Sequence, residues 1–230
     1  MPYVAESIAE EACLQYFDSE GYEVLHGADV GPDTPDPIRT SFADVIVEGR
    51  LTEAVARLNP QLPESAVVEA VRRIRQMPSA SPSVVENNRR FHQAMVEGIP
   101  VEHTRADGSR TSSQVWFVDS DDPAKNDWLV VNQFTVIEGQ SNRRPDIVVF
   151  LNGLPVAVFE LKNPVSGSAT LDSAYSQLQT YMAEIPSLFA YNGLLAISDG
   201  IEARAGALTS PWEWFKPWKT VDGEGLAPDS

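Results

Sequence analysis

Asn142-Arg143-Arg144-Pro145-Asp146, then Ile147-Val148-Val149-Phe150-Leu151, Asn152-Gly153, Leu154-Pro155, Val156-Ala157-Val158-Phe159 and Glu160-Leu161-Lys162 make the stretch on which the fold turns. Two apolar runs flank an Asn-Gly pair, so they read as a β-hairpin. Each run is continuous rather than alternating, the mark of a strand covered on both faces. The order helix, strands, helix, strand around a mixed sheet places the chain in the α/β or α+β class. Charged side chains almost never sit inside such strands unless paired or metal-bound. Asp146 begins one run, and Glu160 and Lys162 extend the other. In a strand, residues i and i+2 project from the same face, so Glu160 and Lys162 aim at one point. A hard divalent cation such as Mg²⁺ takes one or two carboxylates plus water and substrate phosphate. A lysine beside it can position water and offset charge developing on phosphorus. The pattern therefore predicts a phosphodiesterase site of Asp146, Glu160 and Lys162. A solvated hairpin with a surface ion pair would use the same residue types; the buried strands favour the site.

The site sets a demand on register. A two-residue Asn152-Gly153 turn alone would put residue 146 opposite 159, with Asp146 facing away from Glu160. A three-residue loop over 151–153, with Gly153 left-handed, pairs 150 with 154 and returns Asp146 to the face of Val158 and Glu160. The loop with a bulge is therefore the expectation.

Composition sets the outer limits. The chain has 230 residues, 43% of them apolar, enough for one sizeable core. The single cysteine, Cys13, excludes a disulfide framework and a cysteine-based metal site. No apolar run reaches the roughly 18–20 residues that span a bilayer, and Met1-Pro2-Tyr3 does not open a secretory leader. A cytoplasmic protein without membrane contact is expected. The net charge of −16 would repel nucleic acid at long range. Either the chain does not touch DNA, or another domain or subunit delivers it. Basic residues cluster locally at Arg72, Arg73 and Arg75, at Arg89 and Arg90, and at Arg143 and Arg144 beside Asp146.

Along the chain, residues 4–20 read as an amphipathic helix closed by Gly21. Val4, Ile8, Ala9, Ala12, Cys13, Tyr16 and Phe17 make its apolar face. Glu10 falls on the edge of that face with Glu6 beside it, either a snorkelling surface residue or a functional carboxylate. Residues 27–37 form a loop, and a helical block follows over about 51–97. Strands are expected at about 101–104, 113–118 and 128–137, a helix over 170–184 and a strand at 193–198. Gln177 and Tyr181, four apart, share one face of that helix. Trp212, Trp214, Phe215 and Trp218 crowd seven residues before a polar tail at 221–230. They either pack on the domain's own edge or form a docking surface.

Taken together, these motifs resemble the N-terminal nuclease domain of type I restriction enzyme R subunits (HsdR). The hairpin carries the resemblance, with Asn163-Pro164, Arg57-Leu58-Asn59-Pro60, Asn88-Arg89-Arg90-Phe91-His92, Asn126-Asp127, Asn132-Gln133-Phe134 and Ile197-Ser198-Asp199-Gly200 in support. The resemblance implies a restriction-endonuclease-like fold of the RecB-like, PD-(D/E)xK kind. It implies Asp146 and Glu160 as metal ligands and Lys162 as the catalytic lysine. Gln177 and Tyr181 match the group's Gln-x-x-x-Tyr motif, and Glu10, rather than Glu6, best matches its helix glutamate and third metal contact. It further implies Mg²⁺, with Mn²⁺ as substitute, and double-stranded DNA as substrate. The implied partners are an ATP-driven motor region and the methyltransferase and specificity subunits. The chain carries no Gly-x-x-x-x-Gly-Lys-[Ser/Thr] loop. The expectation is a single nuclease domain over 1–230, an N-terminal fragment of a longer chain whose motor uses the ATP. Two alternatives remain: a non-catalytic docking domain on the same fold, supported by charge and tryptophans, and a free-standing DNA-repair nuclease.

Overall fold

The computed structural model describes residues 3–105, 107–162 and 170–218, with residues 3–7 as backbone alone. Val4 and Glu6 as side chains, Asn163-Pro164 and the tail at 221–230 therefore lie outside the described residues. The expected hairpin forms: β7 (Ile147–Leu151) runs antiparallel to β8 (Leu154–Leu161) at the centre of a seven-stranded mixed sheet. On one side β4 (Trp128–Asn132) pairs antiparallel with β7, and β1 (Glu23–His26) lies parallel to β4 at the edge. On the other side β9 (Leu194–Ser198) runs parallel to β8, followed by β10 (Ala203–Gly206) and the two-residue β11 (Lys216–Pro217), both antiparallel to their neighbours. With helices on both faces as the buried strands require, this is the α/β, restriction-endonuclease-like architecture that the resemblance implies.

All five residues of β7 are buried, and Ile147 to Phe150 alternate between two cores. Ile147 and Val149 join Val130, Ala157 and Leu161 against Leu14 of α1 (Tyr3–Ser19). Val148 and Phe150 join Val158, Leu195 and Ile197 in the larger core on the opposite face. That face is covered by α5 (Leu171–Glu184), α6 (Pro186–Phe189) and a helical block of α2 (Glu48–Leu58), α3 (Glu64–Gln76) and α4 (Val84–Glu97). The block begins three residues before the expected 51. Thr170 closes the start of α5 with a reciprocal capping box to Ser173, satisfying two terminal donors. Two small hairpins, β2 (Ile99–Thr104) with β3 (Arg110–Val115) and β5 (Val136–Glu138) with β6 (Ser141–Arg143), stand apart from the main sheet.

Three expectations are corrected. First, the hairpin does not use a three-residue loop. Leu151 pairs with Leu154 across a two-residue turn, with Asn152 and Gly153 both left-handed at φ 51° and 78°. A Cβ on Gly153 would collide with the Val47 carbonyl oxygen, so only glycine fits there. The extra residue sits inside the strand: Phe150 pairs with Pro155 but Val149 with Ala157, which makes Val156 a β-bulge. Below it Ile147 pairs with Phe159, so Asp146 and Glu160 still share a face. Second, α1 is rolled relative to its expected face. Ile8 and Tyr16 are exposed, while Leu14 is buried and Cys13 and Phe17 are half-buried. The inward stripe is 10–13–14–17, which brings Glu10 inward. Third, the strand expected over 128–137 breaks after Asn132. Gln133 adopts φ 49°, and the chain leaves the main sheet to form β5.

The aromatic run at 212–218 divides. Phe215 is 1% exposed and Trp212 half-buried, both against Tyr175 of α5 at ring separations of 5.0 and 5.6 Å. Trp214 and Trp218 stay 66% and 54% exposed.

Candidate active site

At the end of the central hairpin, six side chains singled out from the sequence come together in two hydrogen-bonded groups, linked where Asp146 accepts the Leu161 backbone N–H. Lys162, 13% exposed, donates from Nζ to Glu160 Oε1 at 2.6 Å and to Gln177 Oε1 at 2.7 Å. Gln177 Nε2 donates to the Tyr181 hydroxyl at 2.5 Å, the contact that helical i,i+4 spacing makes available. The lysine is thus pinned between a β8 carboxylate and an α5 amide. Asp146 is held from the other side: its Oδ2 accepts the Leu161 backbone N–H at 2.7 Å. Its Oδ1 accepts a 3.3 Å hydrogen bond from Gln133 Nε2, which also donates to Glu10 Oε2 at 2.8 Å. Asn132 Nδ2 holds the other Glu10 oxygen at 2.5 Å. Of the two candidate glutamates on α1, Glu6 and Glu10, Glu10 reaches this network; the Glu6 side chain lies outside the described residues.

The electrostatics are unusual for carboxylates. Burial pushes Asp146 up to about 6, against the opposing pull of the Leu161 N–H and Lys162. Glu160, 1% exposed, is pushed up to about 8, by burial first and then by the neighbouring Asp146 charge. Lys162 favours the Glu160 carboxylate but does not offset these two effects. Glu160 Oε2 has no hydrogen-bond partner among the described residues. The Tyr181 hydroxyl lies near enough to favour charge on Glu160, yet makes no well-formed bond to that oxygen. Tyr181 is itself pushed upward by burial and by Glu160.

These features bear on metal binding. No group of three or more histidine, cysteine, aspartate or glutamate side chains among the described residues is disposed to hold an ion. The expected trio of Asp146, Glu160 and Glu10 is therefore not gathered as one ligand set; Gln133 stands between Glu10 and Asp146. What does converge is the Asp146–Glu160 pair, repelling each other and leaving one buried oxygen without a donor. Two hard carboxylates with an orphaned oxygen fit Mg²⁺, which leaves its remaining positions to water and phosphate.

A cleft of about 450 Å³ runs between the β6 end and α5, lined by Arg143, Arg144, Ser176, Thr180 and, from the site, Gln177 and Tyr181 among others. Arg143 is engaged by Glu184, whereas Arg144 is exposed and has no ion pair among the described residues. The other basic clusters are neutralised locally, Arg72 and Arg73 by Glu69 and Arg89 and Arg90 by Glu86.

Residues 3–214 match the family described as type I restriction enzyme R protein N terminus. The chain belongs to that family. It is 40% identical over 222 residues to the type I restriction enzyme HindI endonuclease subunit of Haemophilus influenzae, covering 94% of this chain and 20% of that protein. It is 32% identical over 220 residues to the putative MjaIXP endonuclease subunit of Methanocaldococcus jannaschii, again 94% of this chain and 20% of the relative. A third relative, the EcoprrI endonuclease subunit of Escherichia coli, is 28% identical over 138 residues, 58% of this chain and 41% of that protein. The chain thus spans about a fifth of the length of the first two relatives. No helix among the described residues of this R-protein domain is long and apolar enough to cross a membrane.

Reading the sequence missed Asn132 and Gln133 as parts of the site, and with them His26 and Gly27. His26 Nδ1 lies 3.1 Å from Asn132 Oδ1, and the Gly27 N–H donates to the Asn132 carbonyl at 2.9 Å. The available signal was the polar Asn132-Gln133 pair between the apolar runs 128–131 and 134–137.

Proposed function

We propose that this chain is the DNA-cutting domain of a type I restriction enzyme R subunit, a Mg²⁺-dependent endonuclease that cleaves duplex DNA without sequence preference. The observation that carries the reading is Lys162, buried and locked between Glu160 and Gln177 beside the strained Asp146–Glu160 pair. A solvated ion pair would not need an amide on its far side, nor two carboxyls raised by burial. Asp146 and Glu160 would hold the metal, which when bound supplies Lewis acidity toward the phosphate and lowers the pKa of a bound water. Lys162 would hold the attacking water and stabilise charge on the pentavalent phosphorus. Gln177 and Tyr181 fix the ammonium's position, so geometry is set before the substrate arrives. Glu10, tied to Asp146 through Gln133, orients that carboxylate rather than ligating beside it.

Duplex backbone would enter along the cleft of Arg144, Ser176 and Thr180, where a guanidinium with no ion pair among the described residues and small hydroxyls suit phosphate oxygens. The charge of −16 opposes unaided binding, so the reading includes an ATP-driven motor elsewhere in the R subunit that delivers DNA, with methyltransferase and specificity subunits choosing the target. The test is made in the complete enzyme. Asp146→Ala, Glu160→Ala and Lys162→Ala should each abolish cleavage while ATP hydrolysis and translocation continue. Calorimetry with Mn²⁺ on this chain should show binding that Asp146→Ala removes. Undiminished cleavage by all three variants would end the proposal.

A further inference from the structure

Gln133 is the residue that neither the Gln-x-x-x-Tyr motif nor the Asp…Glu-x-Lys pattern accounts for. It is a glutamine at φ 49°, a region that side-chain-bearing residues adopt rarely and keep when the surroundings demand it. Here the demand comes from three sides. The Gly27 N–H holds the preceding carbonyl at 2.9 Å, and a Cβ on Gly27 would stand 2.5 Å from both the Asn132 and Gln133 carbonyl oxygens. The Arg39 guanidinium lies 3.7 Å over the Phe134 ring and bonds the Thr135 carbonyl. The Gln133 N–H donates to the Asp146 carbonyl at 2.8 Å. The consequence of the conformation is that one side-chain amide faces two carboxylates. Nε2 donates to Glu10 Oε2 at 2.8 Å and to Asp146 Oδ1 at 3.3 Å, using both of its protons.

Resting on the proposed function, we infer that Gln133 is a positioning residue: its amide bridges Glu10 to Asp146 and thereby fixes the carboxylate that meets the metal and substrate. Without that bridge, Asp146 keeps one anchor, the Leu161 N–H, and can turn about it. Glu10 would then be tied to Asn132 alone and free to swing toward or away from Asp146.

Gln133→Gly and Gln133→Asn separate positioning from mere fit, because both residues tolerate positive φ and neither reaches the two carboxylates. Gln133→Met keeps the length and removes the donors. If Gln133 were only structural, Gln133→Gly, relieved of strain, would behave as wild type. As a positioning residue, Gln133→Gly should melt within a few degrees of wild type. Mn²⁺ binding to this chain by calorimetry, and cleavage by the full enzyme, should each weaken at least about tenfold, the usual cost of losing such a support. Gln133→Asn and Gln133→Met should follow it in affinity whatever their melting temperatures. Wild-type Mn²⁺ affinity in Gln133→Gly and Gln133→Asn would overturn the inference. A second measurement needs no metal. The Gln133 side-chain amide protons should exchange slowly with solvent in wild type and rapidly in Glu10→Ala, read by nuclear magnetic resonance. If neither wild type nor Asp146→Ala takes up Mn²⁺, the metal reading fails by itself. The bridge then stands or falls on the amide exchange, and exchange as fast as that of an exposed glutamine refutes it.

Discussion

Replacing Glu160 with glutamine should make the metal-free domain more stable, and only above a definable pH. Glu160 is 1% exposed and its carboxyl is raised from 4.5 to about 8, chiefly by burial and then by Asp146. The folded chain therefore keeps a proton that the unfolded chain has released, so folding binds protons and stability falls as pH rises. The stability tied to this group is complete below about pH 4.5 and is lost progressively up to about pH 8. Asp146, raised from 3.8 to about 6, drains stability in the same direction over the lower part of that window. At pH 7 the unfolded Glu160 sits roughly 2.5 units above its pKa, which at 1.36 kcal/mol per unit bounds the deficit at about 3 kcal/mol. Asp146 and Glu160 interact, so part of that deficit belongs to the pair, and about 1–3 kcal/mol is the expected gain.

Glutamine keeps the acceptor at Oε1 for Lys162 and replaces the orphaned Oε2 with an uncharged amide. For a chain of this size the gain corresponds to roughly 3–8 °C in Tm. Melting curves of wild type and Glu160→Gln in EDTA at pH 5 and pH 7 measure it. The variant should lead at pH 7 and converge with wild type at pH 5. Saturating Mn²⁺ should raise wild type alone, a trade of stability for function common at active sites. An equal gap at both pH values, or a variant that melts lower at pH 7, would show that Glu160 is not buried among like charges.

Further expectations concern chemistry, binding and packing. In the complete enzyme, double mutants among Asp146, Glu160 and Lys162 should be no worse than singles, because residues of one phosphoryl-transfer site fail as a unit; single-turnover cleavage assays read this. Arg144→Ala should slow cleavage roughly tenfold, the equivalent of about 1.5 kcal/mol for one charge-assisted phosphate contact, with translocation unchanged. This chain alone should bind duplex DNA more weakly than about 10⁻⁵ M at physiological salt; tight, salt-insensitive binding by fluorescence anisotropy would contradict the role assigned to its acidity. Gly27→Ala places a Cβ 2.5 Å from two backbone carbonyl oxygens that cannot turn away. It should cost about 1–3 kcal/mol in denaturant unfolding and loosen the Gln133 amide with it.

What the sequence could disclose follows from where each constraint is written. The β7–β8 hairpin was legible because ten-odd buried apolar residues cannot be accommodated except in a covered sheet, and its functional parity was legible because Asp146 and Glu160 had to meet. The device that sets the parity was not: a bulge at Val156 and a loop at Leu151 each shift the ladder by one residue, in opposite directions but to the same parity, and local composition does not separate them. Contact with Val47 helps decide it, since that carbonyl approaches Gly153 from a segment about a hundred residues away. The roll of α1 is of the same kind. Its apolar residues cover more than half the helix, so the sheet, through Leu14 against Val130 and Ala157, chooses which stripe turns inward and carries Glu10 with it. Edge strands such as β1 and the two-residue β11 exist because a neighbour pairs with them, and nothing in Glu23–His26 announces that neighbour. Gln133 combines both difficulties. Its polarity looked like an ordinary interruption within a strand, and its left-handed backbone is imposed by Gly27, Arg39 and Asp146, all remote in sequence. Residues whose role is written in their own chemistry, such as Asp146, Glu160 and Lys162, are readable one chain at a time. Those that position them acquire their role only when distant segments close around them.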